Sequence, residues 1–147
     1  MNHTPSEIVR QLLIDLNIGT ASGAWPIYCE NMPDSPDNCL AVYDTEALEA
    51  KRDHVTGVTA LIRGIQVMVR ATDVKTAYLK CKDVNKTFDE DVYRDEVTLD
   101  TTVYLVQAIS RLSAEIPVGA DGTTKRRLYS TNARLSVSLI DELGTSS

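Results

Sequence analysis

"ALIRGIQVMVRATDVKTAYLKC", residues 60–81, carries two different periods in succession. In its first half Ile65, Val67, Val69 and Ala71 alternate with Gly64, Gln66, Met68 and Arg70, the two-residue repeat of a strand with one buried face. Asp73 then offers a carboxylate as a helix cap. Val74, Ala77, Tyr78, Cys81 and Val84 follow at steps of three and four, with lysines outside the stripe. The stretch predicts a strand over 60–71 running into a helix that ends near residue 87.

Upstream, "TPSEIVRQLLIDL" predicts a second helix over residues 5–16. Thr4 caps it, Pro5 suits the first helical position and Glu7 completes a capping box. Ile8, Val9, Leu12, Leu13 and Leu16 make its apolar stripe, and Asn17 and Gly19 stop it. Residues 17–37 are rich in Gly, Pro, Ser and Asn and read as irregular chain. "CLAVYDT" (39–45) reads as a short strand. The charged segment 46–59 has no strong period and reads as a mobile loop between two strands, with a helical turn possible at "EALEAKR".

Downstream, residues 101–113 predict a strand in which Val103, Leu105, Gln107 and Ile109 oppose Thr102, Tyr104, Val106 and Ala108. "PVGADGTTK" (117–125) reads as a turn. In the last strand, from Arg126, Tyr129, Thr131, Ala133, Leu135, Val137 and Leu139 share one face. The expected fold is a single α+β domain over residues 1–147. It has a mostly antiparallel four-stranded sheet with two helices on one face, in the order α-β-β-α-β-β.

A chain of 147 residues supports one well-packed core, and 43% hydrophobic with 24% charged residues is the balance of a folded protein. The net charge of −6 argues against a surface that grips nucleic acid. No apolar run approaches the ~20 residues of a membrane helix. "MNHTPSEIVRQLL" shows no signal-peptide pattern. Three cysteines fit a reducing compartment better than a disulfide framework.

Candidate chemistry is sparse. Cys29 and Cys39 lack the spacing and companion ligands of a zinc site, and His3 and His54 are isolated. Cys81 falls on a helix stripe and reads as a small buried hydrophobe. Asp34, Asp37, Asp44 and Glu46 are close enough in sequence for a hydrolytic carboxylate pair, yet their turn-forming neighbours favour capping of loop backbone. No nucleophile elbow, phosphate loop or dinucleotide fingerprint occurs. Trp25 and Tyr28, flanking Pro26, either cover the edge of the core or anchor a subunit contact. The basic group Lys125, Arg126, Arg127 and Arg134 contrasts with segment 28–53, where Glu30, Asp34, Asp37, Asp44, Glu46, Glu49 and Asp53 outnumber Lys51 and Arg52. The basic group is either a solvated hairpin start or the complement of that acidic segment in a neighbouring copy, a heterologous contact of the kind that closes rings.

Two strings carry a resemblance: "MPDSPDNCLAVYDT" (32–45) and "RGIQVMVRATDVKTAYLKC" (63–81). With the capped N-terminal helix and the chain length, they resemble the tail terminator proteins of long-tailed bacteriophages, also described as minor capsid proteins. In that family a proline-rich approach enters a strand ending in a triplet like Tyr43-Asp44-Thr45. A run like Gly64-Ile65-Gln66-Val67 opens the next strand. "EALEAKRDHVTG" stands where the family has a glycine-containing turn.

The resemblance implies a structural virion protein of the tail and neck, assembled in the host cytoplasm, with no enzyme activity and no cofactor or metal. It implies a homo-hexameric ring that caps the head-proximal end of the tail tube, stops tube polymerisation and offers the head its docking surface. The expected partners are the tail tube protein and a head-completion or connector protein, with DNA passing through unbound and no membrane involved. A head-completion or stopper protein is the nearest alternative. A small carboxylate-dependent hydrolase using Asp34, Asp37 or Asp44 is the alternative from another class. The residues expected at subunit or partner contacts are Trp25, Tyr28, Asp34, Asp37, Asp44, Glu46, Glu49, Lys51, Arg52, Asp53, Lys125, Arg126, Arg127 and Arg134.

Overall fold

The structure, a computed structural model, describes residues 3–53, 57–121 and 125–142, with side chains described for 3–45, 61–120 and 125–139. Helix α1 spans Pro5–Asp15 and helix α2 spans Val74–Glu90. The described residues also form seven strands: β1 Ile27–Cys29, β2 Cys39–Asp53, β3 Gly57–Ala71, β4 Asp95–Leu99, β5 Thr102–Arg111, β6 Ile116–Asp121 and β7 Arg126–Glu142. The expected four-stranded sheet in α-β-β-α-β-β order is therefore overturned. The molecule is mostly β, with one curled mixed sheet of seven strands in the order β1-β2-β3-β7-β5-β4, and β6 paired to β7.

The mixed character comes from β1, which pairs parallel to β2 over three residues; the other pairings are antiparallel. The three strands missing from the sequence reading are short. β1 is "IYC", β4 is "DEVTL" and β6 is "IPVGAD". None is long enough to display a period, and Pro117 and Gly119 gave β6 the composition of a turn. Residues 46–53 and 57–59, read as part of a loop, are strand: β2 and β3 pair from Cys39↔Arg70 out to Asp53↔Gly57. Residues 54–56, His54 among them, lie outside the described residues.

Both helices pack on the same sheet face. α1 contributes Ile8, Val9, Leu12 and Leu13 to the core and α2 contributes Cys81, Val84 and Phe88. They meet Leu40 and Val42 of β2, Ile65, Val67 and Val69 of β3, and Ala133, Leu135 and Val137 of β7. The capping box at Thr4 and Glu7 and the Asp73 cap are both formed.

Strand β5 departs from simple alternation. A register shift between Val106 and Ala108 puts one extra residue opposite β7. Tyr104 and Val106 before the bulge, and Ile109 after it, consequently all reach the core. Strict alternation had placed Ile109 on the opposite face from the other two.

Candidate functional site

The proline-rich approach to β2 is held down by two arginines from the sheet. Arg70 of β3 sits on the face away from the helices, in register between Cys39 and Leu128. Its Nη2 donates to the carbonyls of Pro33 at 2.6 Å and Pro36 at 2.7 Å, and its Nε donates to that of Asp37 at 3.2 Å. Arg126, at the start of β7, donates through Nη1 to the carbonyl of Asp34 and stands 3.4 Å from the Asp37 carboxylate.

The arginines are 2% and 7% exposed, while residues 34–37 above them face solvent. A guanidinium suits this position because its donors form a fixed planar fork that serves several carbonyls at once. The oxygens in turn offset the cost of burying its charge. The outcome is an exposed loop whose shape is set from beneath before any partner arrives.

Asp44, at the end of the Tyr-Asp-Thr triplet, ties β2 to the first turn of α1. Its Oδ1 accepts from the Ser6 backbone N–H at 2.8 Å and its Oδ2 from the Ser6 hydroxyl at 3.2 Å. A carboxylate at a helix N-terminus satisfies an otherwise unpaired amide and complements the helix dipole. The Glu30 carboxylate accepts from the Asp44 N–H at 2.6 Å. Burial against α1 pushes the Asp44 carboxyl above its ordinary value of 3.8; the Ser6 hydrogen bonds oppose this and Glu30 reinforces it. Asp37 and Asp44 thus serve different partners, Arg126 and Ser6.

Trp25 is half-buried at φ 53°, with Lys80 Nζ 5.0 Å from its ring centroid and its carbonyl accepting from the Thr20 N–H at 3.1 Å. It packs against the core, and Tyr28 is half-buried in β1. Lys125, Arg127 and Arg134 are exposed. Arg126 departs from them, because it meets the acidic segment within its own chain, where complementarity between copies was the expectation. The side chains of Glu46, Glu49, Lys51, Arg52 and Asp53 lie outside the described residues.

His3 makes a contact the sequence did not announce: Nδ1 lies 2.7 Å from the hydroxyl of fully buried Tyr104, and Nε2 lies 2.9 Å from Asp100 Oδ2. Ser6 and Arg70 were likewise missed as pins of the fold. Cys39 and Cys81 are buried and Cys29 is half-buried, and desolvation pushes the Cys81 thiol up to about 12. Among the described residues, no three His, Cys, Asp or Glu side chains converge as a metal site.

The sequence profile of a family described as bacteriophage tail terminator protein matches residues 12–137. No curated protein matches the chain. One solved structure, whose title carries no functional description, is similar over 93% of this chain and 92% of its own, with a TM-score of 0.51 at 14% identity. That likeness speaks to the fold alone.

Proposed function

The chain belongs to the bacteriophage tail terminator protein family, and from that premise we propose that it forms a ring closing the head-proximal end of the tail tube. Family membership makes it a tail-associated structural component of the virion. In the proposed role it assembles as a homo-hexamer, halts tube polymerisation by occupying the terminal ring position, and presents its other side to the head-completion protein. Its work is binding, with no turnover, and DNA passes through the ring without being held.

The observation that carries this reading is the family match, which runs from the middle of α1 to the body of β7 and so spans the core. Two features support it. The loop at 33–38 is exposed yet braced by Arg70 and Arg126, a preorganised surface that loses little entropy on docking. Among the described residues the sheet also ends in two unlike edge strands, β1 and β4, and heterologous contacts between unlike surfaces are the kind that close rings.

The deciding experiment mixes the purified protein with polymerising tail tube protein from the same phage and images the product by negative stain. A terminator yields tubes that stop growing and carry extra density at one end. Tubes of unchanged length with bare ends, together with a monomer at every concentration in light scattering, would remove the proposal.

A further inference from the structure

Past its Asp73 cap, helix α2 carries at each end the charge that its dipole disfavours. The first turn holds Lys75 and no acid; the last turn holds Asp89 and Glu90 and no base, and Asp91 is the C-cap. Each of these charges continues onto the sheet beside it.

Near the start of α2, Tyr78 packs edge to face on Tyr129 of β7, with ring centroids 5.8 Å apart. Two residues before Tyr129 and on the same face, Arg127 stands opposite Ala71 at the end of β3. Lys75, Lys125 and Arg127 are exposed, and none has an ion-pair partner among the described residues. Asp73 is occupied in capping Thr76, while Asp34 and Asp37 lie with Arg126 on the other face of the sheet. The outcome is a cationic surface with Val74 and Tyr78 exposed in its middle.

At the far end, residues 89–100 set Asp89, Glu90, Asp91, Asp95, Glu96 and Asp100 against Arg94. Asp89 is held by Arg111, Glu90 lies 3.9 Å from Lys86, and Asp100 meets His3. Asp91 and Glu96 are exposed and have no ion-pair partner among the described residues. Tyr93, between them, is 76% exposed. A bare tyrosine among carboxylates is a ready anchor for a cationic surface that carries its own aromatic residues.

The two surfaces are complementary, yet they cannot meet in one molecule. The 17 residues of α2 hold them roughly 25 Å apart, well beyond the screening length of about 8 Å. Complementary unlike ends on one chain meet between copies, and such a heterologous contact repeats from each copy to the next. Seating the acidic end of one α2 at the start of another also brings to each end the charge its dipole favours. Charge then selects partner and register, and the tyrosines supply buried area.

We propose that the surface around Tyr93 of one copy docks on the surface around Tyr78 and Arg127 of the next. This rests on the ring reading above and names the two faces that close the ring. Sedimentation velocity, alone and with tail tube protein, compares wild type with three variants. The first is Lys75→Glu with Arg127→Glu, the second Asp91→Lys with Glu96→Lys, and the third combines all four. The four positions are exposed, and the changes at 75 and 91 suit the helix dipole, so thermal melts should show every variant folded. Either pair of changes sets like charges against each other and should weaken assembly at least about tenfold. The fourfold variant restores opposite signs, keeps the net charge of −6, and should recover assembly. General repulsion does not mimic this pattern, because the changes at 91 and 96 bring the net charge nearer zero. If wild type assembles and either paired variant assembles equally well, or the fourfold variant stays as weak as the pairs, the inference is overturned and the ring reading stands. If wild type stays monomeric in both conditions, both fall.

Discussion

Replacing Arg70 with methionine keeps most of the aliphatic stem and removes the guanidinium, leaving the carbonyls of Pro33, Pro36 and Asp37 without their donors. Hydrogen bonds to a charged group contribute about 1.5–3 kcal/mol each, so three would sum to more than a typical mutation removes. The loop is exposed, however, and its carbonyls can turn to water, which recovers part of the loss. The net cost is about 2–4 kcal/mol, and at roughly 2–4 °C per kcal/mol for a chain of this size the melting temperature falls by about 5–15 °C. Urea titration measures the free energy directly, with an unchanged m-value showing that the denatured state is the same. Limited proteolysis reads the local effect, since residues 33–38 should become the first site of cleavage. Arg70→Lys should restore less than half, because an ammonium is a point donor and cannot span three carbonyls. A loss under about 0.5 kcal/mol, or an unaltered cleavage pattern, would show that the arginine rests beside the loop without organising it.

Asp44→Asn should preserve the fold, since the amide oxygen still accepts from Ser6. A carboxyl whose pKa is raised on folding contributes its full stability below the unfolded value near 3.8 and loses it as pH rises through the folded value, so the variant should gain stability relative to wild type as pH rises above about 4. A variant that loses stability relative to wild type over that rise refutes that sign. His3→Ala strips the partner from the buried Tyr104 hydroxyl and should cost about 1–3 kcal/mol, a penalty that shrinks in a Tyr104→Phe background when the double-mutant cycle is measured by urea titration. A thiol pushed up to about 12 carries almost no thiolate at pH 8, so a maleimide should modify Cys81 only after unfolding; native-state labelling as fast as at half-buried Cys29 would contradict its placement.

The parts of the fold that could be read from residues alone are those where a period repeats several times. β3 alternates over eight positions from Gly64 to Ala71, and the buried set Ile65, Val67, Val69 and Ala71 is the expected one. α1 announced itself by its capping box as well as its stripe. The arm resisted because local preference and tertiary outcome disagree: "EALEAKRD" is built from helix formers, yet pairing with β3 draws it out as strand. Gln107 marks a different obstacle. A bulge changes the face of every later side chain in β5, and the residues around it carry no turn composition to reveal it.

The charges at the candidate contacts show why a site is harder to read than a strand. Asp37 and Arg126 stand 89 residues apart, and their sequence signs are compatible with pairing in one chain or between two. Topology decides, because β3 and β7 are neighbours and the approach to β2 lies over their outer face. Once Arg126 is spent within the chain, the basic group at 125–134 leaves Lys125, Arg127 and Arg134 for a neighbour, all exposed and each worth little as an isolated surface pair. Charge complementarity is then too weak to hold a ring by itself. In the proposed ring, contacts between copies would have to draw on groups that gain more from being covered, such as backbone edges and the exposed apolar Leu112. Asn85 is legible in the sequence as a polar residue four positions after Cys81 and three before Phe88 on the buried side of α2. What the string of residues could not show is that its carboxamide finds no hydrogen-bond partner among the described residues.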